Sequence, residues 1–197
     1  MARVPFARKL WPMVECRWVM VWLDQSDSPQ RGYLLFSVSD DSIPTGGWYN
    51  FAIRSDVNGD IPNGSWMDYQ GVGFDDDAIY ICGNQFSFAS VFQYAKIRIF
   101  PKAPLYANDV NSTITYTDLY DIKYPSPGPT NQRIFHIRPT IAYTHDPAKY
   151  YFLHAPSSSN FFALYWVENP LTAPVLKGSV VPTISYSSPP DANQLGG

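Results

Sequence analysis

The chain has 197 residues, 45% hydrophobic and 16% aromatic, with a net charge of -3. That is enough apolar material for one substantial core. The scattered basic residues and slightly negative balance exclude nucleic acid as a partner class, and no run reaches the roughly 18 apolar residues that span a bilayer.

The first fifteen residues, Met1 to Glu15, have a basic start but no apolar core of a secretory signal, and read as an irregular segment. Apolar runs follow at 17–23, 32–38 and 47–53, each bounded by turn formers. The first two read as a hairpin across 24–31, and 47–53 as the outer strand of a unit spanning 16–65 that lacks its first strand. A polar loop, 56–64, crosses to a second unit, 66–123, with strands at 68–74, 78–83, 93–100 and 113–121. The segment Tyr124-Pro125-Ser126-Pro127-Gly128-Pro129 is too rich in proline for a central strand. It opens a third unit, 124–181, with strands at 134–143, 150–154, 161–167 and 176–181. Residues 182–197 read as a linker and the start of a further unit. Helix-forming windows are missing, and several runs are apolar on both parities, as in sheets buried between two others.

The units are variations on one pattern. Trp66-Met67-Asp68-Tyr69-Gln70-Gly71-Val72-Gly73-Phe74 aligns with His136-Ile137-Arg138-Pro139-Thr140-Ile141-Ala142-Tyr143. Each copy continues through a polar turn into two further apolar runs. Strands recurring at intervals of roughly 60 to 70 residues indicate small sheets stacked on their neighbours. The expected fold is all-β: an open β-propeller segment of about three four-stranded antiparallel blades. The sequence reads as part of a longer protein.

The runs Arg17-Trp18-Val19-Met20, Trp48-Tyr49-Asn50-Phe51, Trp66 to Phe74 and Pro189-Pro190-Asp191-Ala192 resemble large secreted bacterial propeller proteins, distantly sialidase-like in fold. The resemblance covers about residues 16–197 and specifies structure more than activity. It implies a secreted or cell-surface location, and it implies partners in the form of missing blades or self-association.

Candidate chemistry is sparse. Asp56, Asn58 and Asp60 place oxygen side chains at alternate positions, the arrangement of a Ca²⁺ loop. An Asn/Asp/Gly turn is the competing reading, and the helix-flanked Ca²⁺ motif is excluded by Ile61 and Met67. Asp75-Asp76-Asp77 reads as a turn, as does Ser37 to Trp48, which resembles a degenerate sialidase-type Asp-box with longer spacing and in which Asp40 would cap backbone N–H groups. Arg17, Arg98 and Arg138 lie on or beside strands without a shared repeat position. His136, His145 and His154 recur every nine residues without a common face. Cys16 and Cys82 have no metal-like spacing, and their pairing stays open. Asn63-Gly64-Ser65 and Asn111-Ser112-Thr113 match the glycosylation acceptor pattern.

No nucleophile or metalloprotease motif is present. The reading is a non-catalytic scaffold or binding segment with no resident cofactor beyond the candidate Ca²⁺. It would meet carbohydrate or a surface protein through the loops at 24–31, 56–65, 101–112 and 144–149. The alternatives are part of a sialidase-like glycoside hydrolase, needing paired carboxylates, and a self-assembling extracellular protein.

Overall fold

The computed structural model describes residues 2–4, 16–142, 146 and 148–188. Glu15, then Thr144, His145 and Pro147 of the 144–149 loop, and residues 189–197, including Pro189 to Ala192, lie outside the described residues.

The strands are β1 (Ala2–Val4), β2 (Arg17–Asp27), β3 (Gln30–Ser39), β4 (Trp48–Arg54), β5 (Val57–Asn58), β6 (Ile61–Pro62) and β7 (Ser65–Phe74). There follow β8 (Ala78–Ser87), β9 (Phe92–Pro101), β10 (Thr117–Tyr120), β11 (Arg138–Pro139), β12 (Lys149–His154), β13 (Ser159–Glu168) and β14 (Val175–Tyr186). One helical turn, α1 (Lys102–Leu105), follows β9. Three four-stranded antiparallel sheets result, ordered β1-β2-β3-β4, β10-β9-β8-β7 and β11-β12-β13-β14, with β5 and β6 as a small separate ribbon.

The alternation of side chains along a strand explains how these sheets stack. On β8, Ile79 and Ile81 join Phe100, Leu34, Phe36 and Val38 in a core between the first and second sheets. The opposite parity, Ala78, Tyr80 and Cys82, joins Ile97, Ile99, Tyr150, Phe152 and Tyr165 between the second and third. The second sheet is therefore apolar on both sides, and residues 78–85 of β8 are all buried. In β12 the burial alternates instead, with Tyr150, Phe152 and His154 inward and Tyr151 and Leu153 outward. The sheets touch most closely at Gly73, where an added Cβ would collide with the Thr140 carbonyl oxygen and the Tyr150 hydroxyl. At that place Phe74 and Ile141 form a parallel bridge, so β7 and the chain after β11 run side by side.

Four expectations change. The first unit does not lack its first strand: Ala2–Val4 pairs with Arg17–Val19 along the first three residues of β2. Residues 24–31 are not a free loop, because the β2–β3 ladder runs to the Asp27–Gln30 pair and leaves a two-residue turn. Residues 182–186 do not begin a new unit, because β14 is continuous from Val175 to Tyr186. Pro182 is tolerated there because β14 is an edge strand and its missing N–H costs no ladder bond on the outer side. The first strand of the third unit shrinks from 134–143 to Arg138–Pro139, since Pro139 supplies no donor to extend it.

Candidate functional site

The most unusual backbone in the second sheet is at Tyr69. Strand β7 pairs regularly with β8 through Asp68 and again from Gly71, with a bulge between. Tyr69 sits in the bulge at φ 55°, a left-handed conformation costly for a bulky aromatic residue. The Asp68 carboxylate accepts the Tyr69 N–H at 2.8 Å, and Arg138 Nη1 donates to the Tyr69 carbonyl at 2.9 Å. Bulges re-aim side chains beside functional sites, and this one leaves the Tyr69 ring 56% exposed.

Around that ring the strand ends assemble an aromatic surface. Trp66 and Phe86 are 6.0 Å apart between centroids, Tyr69 and Phe86 6.4 Å, and Tyr69 and Phe135 6.5 Å. Phe92 and Phe135 lie 5.0 Å apart. Cross-strand pairing accounts for part of this, because Trp66, Phe86 and Phe92 are register partners across β7, β8 and β9. Phe135, 49% exposed, comes from the segment leading into β11. Among the aromatic residues, Phe36, Phe74, Tyr80, Phe100, Tyr150, Phe152 and Tyr165 are buried in the sheets, whereas Tyr69 and Phe135 are among the exposed ones. Phe86, Phe88 and Phe92, in and beside the Ser87–Val91 turn, were the available signal.

Behind this surface His136 and His154 meet edge to face at 5.1 Å, which corrects the expectation that the histidines share no face. The Arg138–Leu153 pairing of β11 with β12 brings them together. His154 Nε2 and the Tyr124 hydroxyl are 2.9 Å apart. Burial, followed by the neighbouring His136 ring, pulls the His154 pKa down to about 4, with the His136 backbone opposing. Burial also lowers His136. Both rings therefore favour the neutral form near pH 7 and meet edge to face without presenting charge.

The acidic and basic residues singled out in the sequence are tied into the scaffold. The Asp56 carboxylate receives two bonds from Arg54, each 2.9 Å. Asn58 donates to the Tyr94 hydroxyl at 2.8 Å and accepts from Asn63. Asp60 lies in the β5–β6 turn beside Gly59, whose φ is 58°. A cation would have to displace Arg54 to reach Asp56. Among the described residues no group of three His, Cys, Asp or Glu is placed to hold a metal.

Asp75 accepts the N–H groups of Asp77 and Ala78 and the Tyr80 hydroxyl, the last at 2.6 Å. The acidic run is thus a turn with a buried cap. In the Ser37–Trp48 segment the cap is Asp41, which accepts the Ile43 N–H, rather than Asp40, whose backbone instead pairs with Gly47. The shorter reach from Asp41 to a residue two positions on makes an Asx turn.

Three arginines serve three places. Arg17 donates to the Ser39 carbonyl and to Asn108, binding the β9–β10 connection to the first sheet. Arg98 holds Asp118 through two bonds of 2.7 Å and reaches the carbonyls of Arg54 and Val57. Arg138 goes to Tyr69. They do not converge on one anion. Lys96, 3.4 Å from Asp118, lies with Arg98 on the face toward the first sheet. Burial and Arg98 lower its pKa to about 7, against the pull of Asp118. Cys16 and Cys82 are free thiols, and burial pushes Cys82 up.

The arrangement is therefore a half-exposed aromatic surface on a stiff, neutral support. Comparison with known proteins returns no matching family model, curated protein or solved structure.

Proposed function

We propose that the chain is a non-catalytic binding scaffold: an open β-propeller segment of a secreted or cell-surface protein, which meets carbohydrate or a surface protein through the ends of its sheets. The carrying observation is the burial of the second sheet on both faces while the outer faces of its neighbours continue the same apolar pattern. On the first sheet, Trp22, Leu35 and Ala52 form one cross-strand row facing outward, with Trp22 50% exposed. On the third, Tyr151 pairs with Trp166 and Leu153 with Leu164, with Tyr151 and Leu153 about two-fifths exposed. Residues of this kind are what further sheets of the repeat would cover. The side-by-side course of β7 and the chain after β11 fits neighbouring blades around a hub. Partners are then missing blades of a longer chain or a second copy.

The acids support a non-catalytic reading. Asp56, Asp75, Asp118 and Glu168 are each engaged by Arg54, Tyr80, Arg98 and Lys177, whereas a glycosidase leaves two carboxyls facing a cleft. A panel of fluorogenic glycosides tests this part. No release of fluorophore is expected, and turnover lost on Asp68→Asn would replace the scaffold with a glycoside hydrolase. Regular particles or filaments under electron microscopy would favour a self-assembling structural protein.

A further inference from the structure

We propose that the surface formed by Tyr69, Phe86, Phe92 and Phe135 is a binding platform for a neutral oligosaccharide, stacking the C–H face of a pyranose unit against Tyr69 and Phe135. The inference rests on the binding-scaffold reading and names the ligand class and the place.

The backbone supplies the first reason. The strain at Tyr69 is local, and the bulge around it turns a large ring away from the core and into solvent. Strained, exposed residues of this kind concentrate at binding sites. Two further contacts hold the strained peptide, the Asp68 carboxylate on its N–H and the Arg138 guanidinium on its carbonyl. The ring is thus displayed from a fixed support rather than from a loose loop.

Ring geometry supplies the second. Tyr69 and Phe135 are inclined by 57°, and Phe92 and Phe135 by 49°. Tyr69 and Phe135 are the exposed rings of the cluster, and Phe86, which touches Trp66, Tyr69, Phe92 and Phe135, links them. An aromatic face carries negative charge density. It matches the polarised C–H hydrogens on one side of a pyranose, whose hydroxyls then point outward to the rim. Polar side chains border the bulge as a rim: Asp68 and Gln70 flank Tyr69 in sequence and Arg138 bonds its carbonyl, and each carries further donors or acceptors.

Charge selects among ligands. The rim carries one carboxylate and one guanidinium, and the histidines behind the rings are neutral near pH 7, so no net charge favours an acidic sugar. Nucleic acid would need a basic track beside the rings, and the chain carries a net -3. A folded protein partner needs a far broader contact, about 800 Å² on each side, than two half-exposed rings with their rim provide.

The test is isothermal titration of the full chain with cellohexaose, xylohexaose, mannohexaose and chitohexaose in turn. Binding of at least one is expected, weakened roughly tenfold or more by Tyr69→Ala or Phe135→Ala and unchanged by Tyr151→Ala on the outer sheet face. Tyr69→Gly separates recognition from folding. Glycine relieves the left-handed strain, so the melting temperature should hold or rise while binding is lost. Failure of all four hexaoses to bind, or wild-type affinity in Tyr69→Gly, overturns the platform and leaves the scaffold reading standing. Cleavage of a hexaose during titration would do the reverse.

Discussion

Tyr80 and Tyr150 stack ring on ring, 3.5 Å between centroids and 8° between planes, and so join the second sheet to the third. Each ring is held at its far end: the Tyr80 hydroxyl donates to Asp75 at 2.6 Å, and the Tyr150 hydroxyl donates to the Thr140 carbonyl. Burial raises both phenols far above their usual range, with Asp75 adding to the shift at Tyr80. Neither ring ionises while the protein is folded.

The Tyr80 hydroxyl is therefore expected to matter as a donor. Tyr80→Phe keeps the stack but leaves a buried Asp75 oxygen without its partner, at a cost of about 1–3 kcal/mol. Tyr80→Ala removes the stack as well and should cost about 3–5 kcal/mol. Urea unfolding of both variants checks the order; equal losses would show that the hydroxyl contributes everything and the stack nothing.

Asp118 answers two basic side chains, Lys96 and Arg98, both fully buried, with its own side chain 2% exposed. Removing the charge while keeping the shape, Asp118→Asn, strands Arg98 and should destabilise by about 3–5 kcal/mol. Lys96, whose pKa burial and Arg98 already lower to about 7, sheds its proton once Asp118 no longer opposes them. Lys96→Met in the same background should recover part of the loss by removing the buried amine. Chemical denaturation of the single and double variants reads the coupling directly.

His154 makes the fold sensitive to acid. Its pKa is about 4 in the folded chain, against 6.5 for the free side chain. Between those values the unfolded chain binds the extra proton, so stability is full above about pH 6.5 and falls as pH drops toward 4. The lowered His136 acts in the same direction. The loss attributable to His154 is at most about 3 kcal/mol. His154→Gln should flatten the decline in denaturation midpoint between pH 7 and pH 4.5; a decline as steep as in the wild type would place the sensitivity elsewhere.

The strands were legible because both chain periodicities were strong. Ile79 and Ile81 on one parity, and Tyr80 and Cys82 on the other, already mark a strand buried twice. What escaped notice depends on register and edges. His136 and His154 meet only once β11 and β12 are paired in a particular register, which no residue pattern in the sequence specifies. Residues 182–186 read as the start of a further unit, yet on an open edge the donor that Pro182 lacks is not needed and β14 runs through it. The Tyr69 bulge, which shapes the candidate site, had no local signature: glycines at 71 and 73 signal close approach of a neighbouring chain, not the left-handed residue before them. Short polar residues are the usual occupants of that conformation, so a tyrosine gave no warning.

The central claim is that the outer faces of the first and third sheets are made to be covered by further sheets. Sedimentation equilibrium on the 197-residue chain beside Trp22→Glu and Leu153→Glu tests it most directly. The expected result is concentration-dependent association of the wild type above its 22.3 kDa mass, reduced by either charge on an outer face and retained in Tyr69→Gly. A stable, cooperatively folding monomer at every concentration, indifferent to both glutamates, would contradict it.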